Sequence, residues 1–186
     1  MDTINRRPSL AALLLHGLPG HPLHPPLTDA TIGMFVLATG LAVIGAFGAI
    51  PAAAGKACWL ALAGGLIVAV PTAATGFAEW VRLEWGSARW RTATLHLSAM
   101  VTAVVLFALA AWLQHRGYRH DEVTAGGLAF SLAGLVALTA GGWLGGALVF
   151  VHGVRVLGAE EPSAEQPRRA AVDGPTAYTP TTTTRR

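Results

Sequence analysis

The sequence predicts an all-α fold, an antiparallel four-helix bundle integral to a membrane, and three observations carry that prediction. Of the 186 residues 53% are hydrophobic and only 12% are charged, with a mean hydropathy of +0.50, a balance that belongs to the membrane class. The apolar residues are gathered into four runs, at about 27–50, 57–77, 93–113 and 126–151, each near the roughly 20 residues needed to cross a bilayer. Backbone amides in hydrocarbon must find partners within their own segment, so such runs form helices.

The short connection at 51–56 and the hydrophilic one at 114–122 make consecutive helices antiparallel neighbours. Three regions follow: residues 1–26, an interfacial segment carrying a His-Pro-x-His-Pro motif; 27–156, the membrane domain; and 157–186, a tail rich in Pro, Thr, Glu, Ala and Arg. Such a tail buries too little apolar area to fold and is expected to be disordered. The apolar run Leu10–Leu15 behind Arg6 and Arg7 is short and lacks a small-residue cleavage site, so it is expected to stay in the mature protein. No internal repeat is evident.

Orientation follows from the basic residues. Arg6, Arg7, Arg82, Arg89, Arg91, Arg155, Arg168 and Arg169 collect on one side, against Lys56, Arg116 and Arg119 on the other. A multi-pass protein of the inner (plasma) membrane with both termini cytoplasmic is expected. Trp80, Trp85, Trp90, Trp112 and Trp143 lie near span ends, where indoles favour the headgroup layer, with Trp143 alternatively a packing residue. The net charge of +3 and pI of about 9.8 come from scattered arginines without interleaved aromatics, which excludes a nucleic-acid surface. A single cysteine, Cys58, excludes an intramolecular disulfide and a thiolate cluster. Any metal must therefore be held by histidine or carboxylate.

Ionisable residues are sparse, and topology gathers them. His21 and His24 stand in Gly20-His21-Pro22-Leu23-His24-Pro25-Pro26, where proline is expected to keep the segment out of the α-helix. Asp29, in the first turn of the first span, reads as a cap or dipole partner. In the second span Pro71 is expected to kink the helix, and Thr72, Thr75 and Glu79 share one face. His96 lies a turn inside the third span, its face continued by Met100, Ala103 and Phe107. In the fourth, Gly127, Ser131, Gly134, Ala137, Gly141 and Gly145 form a small-residue stripe that His152 continues. Antiparallel connectivity returns His21, His24, Asp29, Glu79, His96 and His152 to one cytoplasmic-facing layer, whereas His115 and His120 read as ordinary surface residues of the opposite loop. Ionisable groups gathered at one depth of a membrane domain point to a functional site.

The sequence resembles a bacterial predicted-membrane-protein family, domain of unknown function 2231. The resemblance rests on the His-Pro pair followed by Leu27-Thr28-Asp29 and Ile32-Gly33, on Thr75-Gly76-Phe77-Ala78-Glu79-Trp80, on Leu95-His96, and on Gly141–Gly146 through Leu148-Val149-Phe150-Val151-His152-Gly153-Val154. It covers about residues 20–156. It implies a four-helix membrane domain without an established activity, and, because some similar chains carry a fused Rieske-type iron–sulfur domain, a redox setting. Thr31, Met100 and Ala147 depart from the family's usual proline, asparagine and occasional histidine, which weakens any ligand set needing those positions.

Two functions of different class follow. One is a redox-linked domain holding haem b or a transition-metal ion. His96 and His152 would supply a bis-imidazole pair, with His21 or His24 as supporting or alternative ligands; a non-haem site would draw on His21, His24, His96 and His152 with Glu79. The other is a non-enzymatic scaffold or partner subunit whose histidines hold the helix ends together. Histidine spacing does not choose between them. Implied partners are the lipid bilayer, a redox partner protein and a second copy of the chain. Transport ranks lowest because the ionisable residues gather at one side instead of lining a path, and no nucleophile–base pair suggests hydrolysis.

Overall fold

The computed structural model describes residues 21–154 together with Gly17; the N-terminal and C-terminal segments anticipated above otherwise lie outside the described residues. Four helices follow in chain order: α1 His24–Ala46, α2 Pro51–Trp80, α3 Ala88–His120 and α4 Ala125–Phe150. All four are long and apolar enough to cross a membrane. α1 packs chiefly on α2 and α3 chiefly on α4, with α2–α3 and α1–α4 contacts closing the bundle.

Helix ends differ from the hydropathy reading because apolarity marks where a helix meets lipid, not where its hydrogen bonding stops. His24 belongs to α1, since Pro25 and Pro26 occupy the first turn, where an amide lacks a helical partner in any case. Asp29 is consequently the sixth helical residue and is exposed, so it caps nothing. Pro51 likewise heads α2, and the expected connection at 51–56 is helical; the turn lies at 47–50, with Gly48 and Ile50 at φ of 80° and 47°. At the far side α3 continues to His120, leaving 121–124 as the link, with Asp121 in the left-handed region at φ 59°. α2 runs unbroken through Pro71. The Ser87 side chain accepts from the Trp90 amide and that of Thr124 from the Gly127 amide, starting α3 and α4 with ordinary N-caps.

Phe35 of α1 and Phe107 of α3 stack at the centre, ring centroids 4.0 Å apart and 7° from parallel. Gly65 of α2 lies under Phe35 and Gly134 of α4 under Phe107: a Cβ at either would sit 2.7 or 3.0 Å from a ring carbon. Alanines 38, 42, 61, 69, 103, 110 and 111 make up most of the other buried core residues, with Cys58, Leu62 and Leu138. Small residues let helix backbones approach closely, the packing that works where lipid removes the hydrophobic drive between helices. Ile67, Val70, Val136 and Trp143 point outward at 71–82% exposure, an apolar exterior suited to hydrocarbon. Trp143 is thus not a packing residue of this bundle.

Candidate functional site

Connectivity brings the start of α1, the end of α2, the start of α3 and the residues after α4 to one end of the bundle. Three histidines there are fixed by specific neighbours. His24 Nδ1 lies 3.1 Å from the Thr72 carbonyl oxygen and 3.2 Å from Thr75 Oγ1, both on α2. His96 Nδ1 lies 2.7 Å from the Gly141 carbonyl oxygen on α4. A carbonyl only accepts, so in both cases Nδ1 carries the proton. That assignment leaves Nε2 as the ring nitrogen not committed to a carbonyl. Near His24 Nε2 the Thr28 hydroxyl is 3.5 Å away, at the limit of a hydrogen bond, and it donates to the His24 carbonyl at 2.9 Å.

Each of these rings rests on a glycine one turn beyond the carbonyl that holds it. A Cβ on Gly76 would come within 2.6 Å of His24 Cε1, and one on Gly145 within 3.1 Å of His96 Cε1. Alanine at Gly76 would force the His24 ring to shift, and alanine at Gly145 would require the His96 ring to give by a few tenths of an ångström. Thr72 is itself tied to α1, with its hydroxyl 2.9 Å from Thr31 Oγ1 and donating to the Leu27 carbonyl at 3.2 Å. The carbonyl that receives His24 therefore sits in a cross-braced turn. Glu79 and His96 both lie within electrostatic reach of His24.

His152 is buried at 6% exposure just beyond α4, and its Nε2 lies 3.0 Å from Thr92 Oγ1 on α3. Burial depresses its pKa and the nearby Arg89 charge adds to the effect; both disfavour the charged ring. His21 is exposed immediately before α1. Among the described residues, no three His, Cys, Asp or Glu side chains are grouped so as to hold a metal ion. His115 and His120 are exposed at the opposite end, as expected of surface residues, although on α3 and not in a loop; the His115 ring lies tilted against Trp59, with centroids 5.3 Å apart and planes 52° from parallel.

Several residues of consequence escape a reading by chemical type. The Thr72 and Gly141 carbonyls are main-chain groups, invisible in side-chain patterns, and Gly76 and Gly145 look like any small residue. Thr92 has no signal of its own. Gln114 reads as part of a hydrophilic connection, yet it is fully buried, its amide nitrogen donating to the Gly55 and Glu122 carbonyls at 3.3 and 2.9 Å and its Oε1 accepting from the Thr124 amide and hydroxyl at 3.0 and 3.1 Å.

A family model described as a predicted membrane protein, DUF2231, matches residues 20–158, and the chain belongs to that family. No curated protein and no solved structure matches it.

Proposed function

We propose that this member of the family is a redox-linked membrane domain that holds a b-type haem through histidines at one end of its bundle, drawn from His21, His24, His96 and His152. The observation that supports this reading is the state of the two helix histidines: each gives its Nδ1 proton to a main-chain carbonyl of a neighbouring helix. A second partner of that kind is what orients metal-binding imidazoles and sets their tautomer. The glycines beneath the rings supply a cradle that any larger residue would fill. Iron in a porphyrin needs only two protein ligands, whereas a mononuclear ion needs the three-residue grouping that the described residues do not form. A bound haem would supply one-electron exchange, and the protein's part is to set ligand orientation, exclude water with the flanking helices, and place Glu79 near the imidazoles.

The domain would lie in the inner (plasma) membrane with both termini cytoplasmic. Arg82, Arg89 and Arg91 stand at the histidine end and Lys56, Arg116 and Arg119 at the other, in keeping with positive charge retained inside. A redox partner protein would then meet the domain from the cytoplasm.

A second reading is favoured by the His152–Thr92 contact, which ties the chain after α4 back to α3: a scaffold whose histidines join helix ends. An absorption spectrum and elemental analysis of the full chain, purified from haem-replete membranes, separate the readings. A Soret band with stoichiometric iron is expected; stoichiometric metal without a Soret band would move the site to a non-haem ion, and neither signal would leave the scaffold.

A further inference from the structure

The two halves of the bundle repeat one device. His24 starts α1, and Phe35 follows eleven residues later; His96 lies near the start of α3, and Phe107 follows eleven residues later. Gly65 of α2 underlies Phe35 as Gly134 of α4 underlies Phe107. Seven residues past each of those glycines is the carbonyl that receives the imidazole, Thr72 or Gly141. Four residues further is the glycine under the ring, Gly76 or Gly145.

The correspondence holds at constant register. An interval of 72 residues carries α1 onto α3 and one of 69 carries α2 onto α4. At the first interval every buried residue of α1 falls on a buried residue of α3, from Thr31 on Ala103 to Gly45 on Gly117. α1 and α3 run in the same direction, so the operation relating the hairpins is a two-fold rotation about an axis along the bundle, the parallel kind of repeat found in membrane proteins. The Phe35–Phe107 stack joins a residue to its own counterpart, as happens at a two-fold axis. Eleven residues make close to three turns and about 16 Å of rise, so the histidines project from the same faces of α1 and α3 as the stacked rings. Half the hydrocarbon thickness is about 15 Å. The imidazoles therefore flank the axis near the membrane boundary, within electrostatic reach of one another.

We infer that residues 24–80 and 96–149 are two copies of one helical hairpin, and that the symmetry-related His24 and His96 are the two axial ligands of a single haem between them. This rests on the haem reading above and specifies its ligands. Two equivalent imidazoles across a two-fold axis suit a flat group with two like faces, which a porphyrin iron offers through its two axial positions. His152 has no counterpart in the first hairpin, where the same interval falls on Leu83, and its Nε2 already faces Thr92.

The test is the haem content of the full-length protein and its variants, produced with excess haem and purified in detergent. The wild type is expected to carry one haem per chain with a bis-imidazole spectrum. His24→Ala and His96→Ala should each reduce that content at least tenfold, to the same degree, and free imidazole should restore it in both; His115→Ala should leave it unchanged. Retention of haem by either of the first two variants, loss confined to His96→Ala and His152→Ala, or a loss that imidazole does not restore would overturn the axial pair while leaving a haem protein. A wild type that takes up no haem would overturn the functional reading with it.

Discussion

The two ends of the bundle are closed by polar groups in opposite ways. At one end Gln114, fully buried, spends both its donors and its acceptor on main-chain and hydroxyl groups of Gly55, Glu122 and Thr124. The neighbouring Gly55 and Gly117 admit no Cβ, because each lies against the Glu122 carbonyl. At the other end His24 and His96 use one ring nitrogen each to reach a neighbouring helix, and the second nitrogen of His24 meets only the Thr28 hydroxyl of its own helix, at 3.5 Å. A saturated polar group in a membrane core holds helices together and has no capacity left for chemistry. A half-used imidazole both holds and offers. On the proposed reading this contrast separates a structural end from a cofactor-holding one more sharply than counting polar residues, since both ends carry histidine, carboxylate and arginine.

The largest effect on stability is expected at the saturated end. Gln114→Ala removes a buried amide and leaves the Thr124 amide and the Gly55 and Glu122 carbonyls without it, a cost of about 2–4 kcal/mol at roughly 1–3 kcal/mol per stranded group with partial relaxation. Thermal unfolding in detergent should show the loss, and the fraction still folded should bind haem as the wild type does. Haem loss from that folded fraction would break the separation between the ends.

Next in size are Gly76→Ala and Gly145→Ala. Each added methyl meets an imidazole carbon at 2.6 or 3.1 Å, and overpacking of this sort costs about 1–3 kcal/mol. The stability change should therefore be smaller than for Gln114→Ala, whereas haem content should fall severalfold. Equal effects on haem from Gly117→Ala, at the far end, would show that the loss reports general loosening of the bundle.

A smaller effect is expected from pH. The folded-state pKa of His152 lies below its ordinary value of 6.5, so below about pH 6.5 the unfolded chain binds a proton that the folded chain refuses, and stability falls as pH drops. Above that pH the contribution is fully present. Unfolding midpoints between pH 5 and 8 should show the fall in the wild type and a flatter profile in His152→Gln. The same slope in both would place the titration on another group.

Much of the fold was legible from hydropathy alone, because a bilayer imposes length and apolarity on each span. Helix ends were not, since Pro25, Pro26 and Pro51 lie in first turns where their missing amides cost nothing, and Gln114–His120 are sound helix formers that merely lie outside the apolar window. The histidine layer was legible from topology. The hydrogen bonds of His24 and His96 were not, because they reach the carbonyls of Thr72 and Gly141. The repeat escaped for a related reason: its fixed points are a histidine, a phenylalanine and a few glycines and alanines at wide spacing, while the lipid-facing positions between them are free to differ.

The most direct test of the half-used imidazoles is the electron paramagnetic resonance spectrum of the oxidised, full-length protein isolated from haem-replete membranes. The expected spectrum is the low-spin ferric signal of iron held between two neutral imidazoles, at one spin per chain. A high-spin signal from iron with a single protein ligand, or a protein free of haem iron, would contradict it.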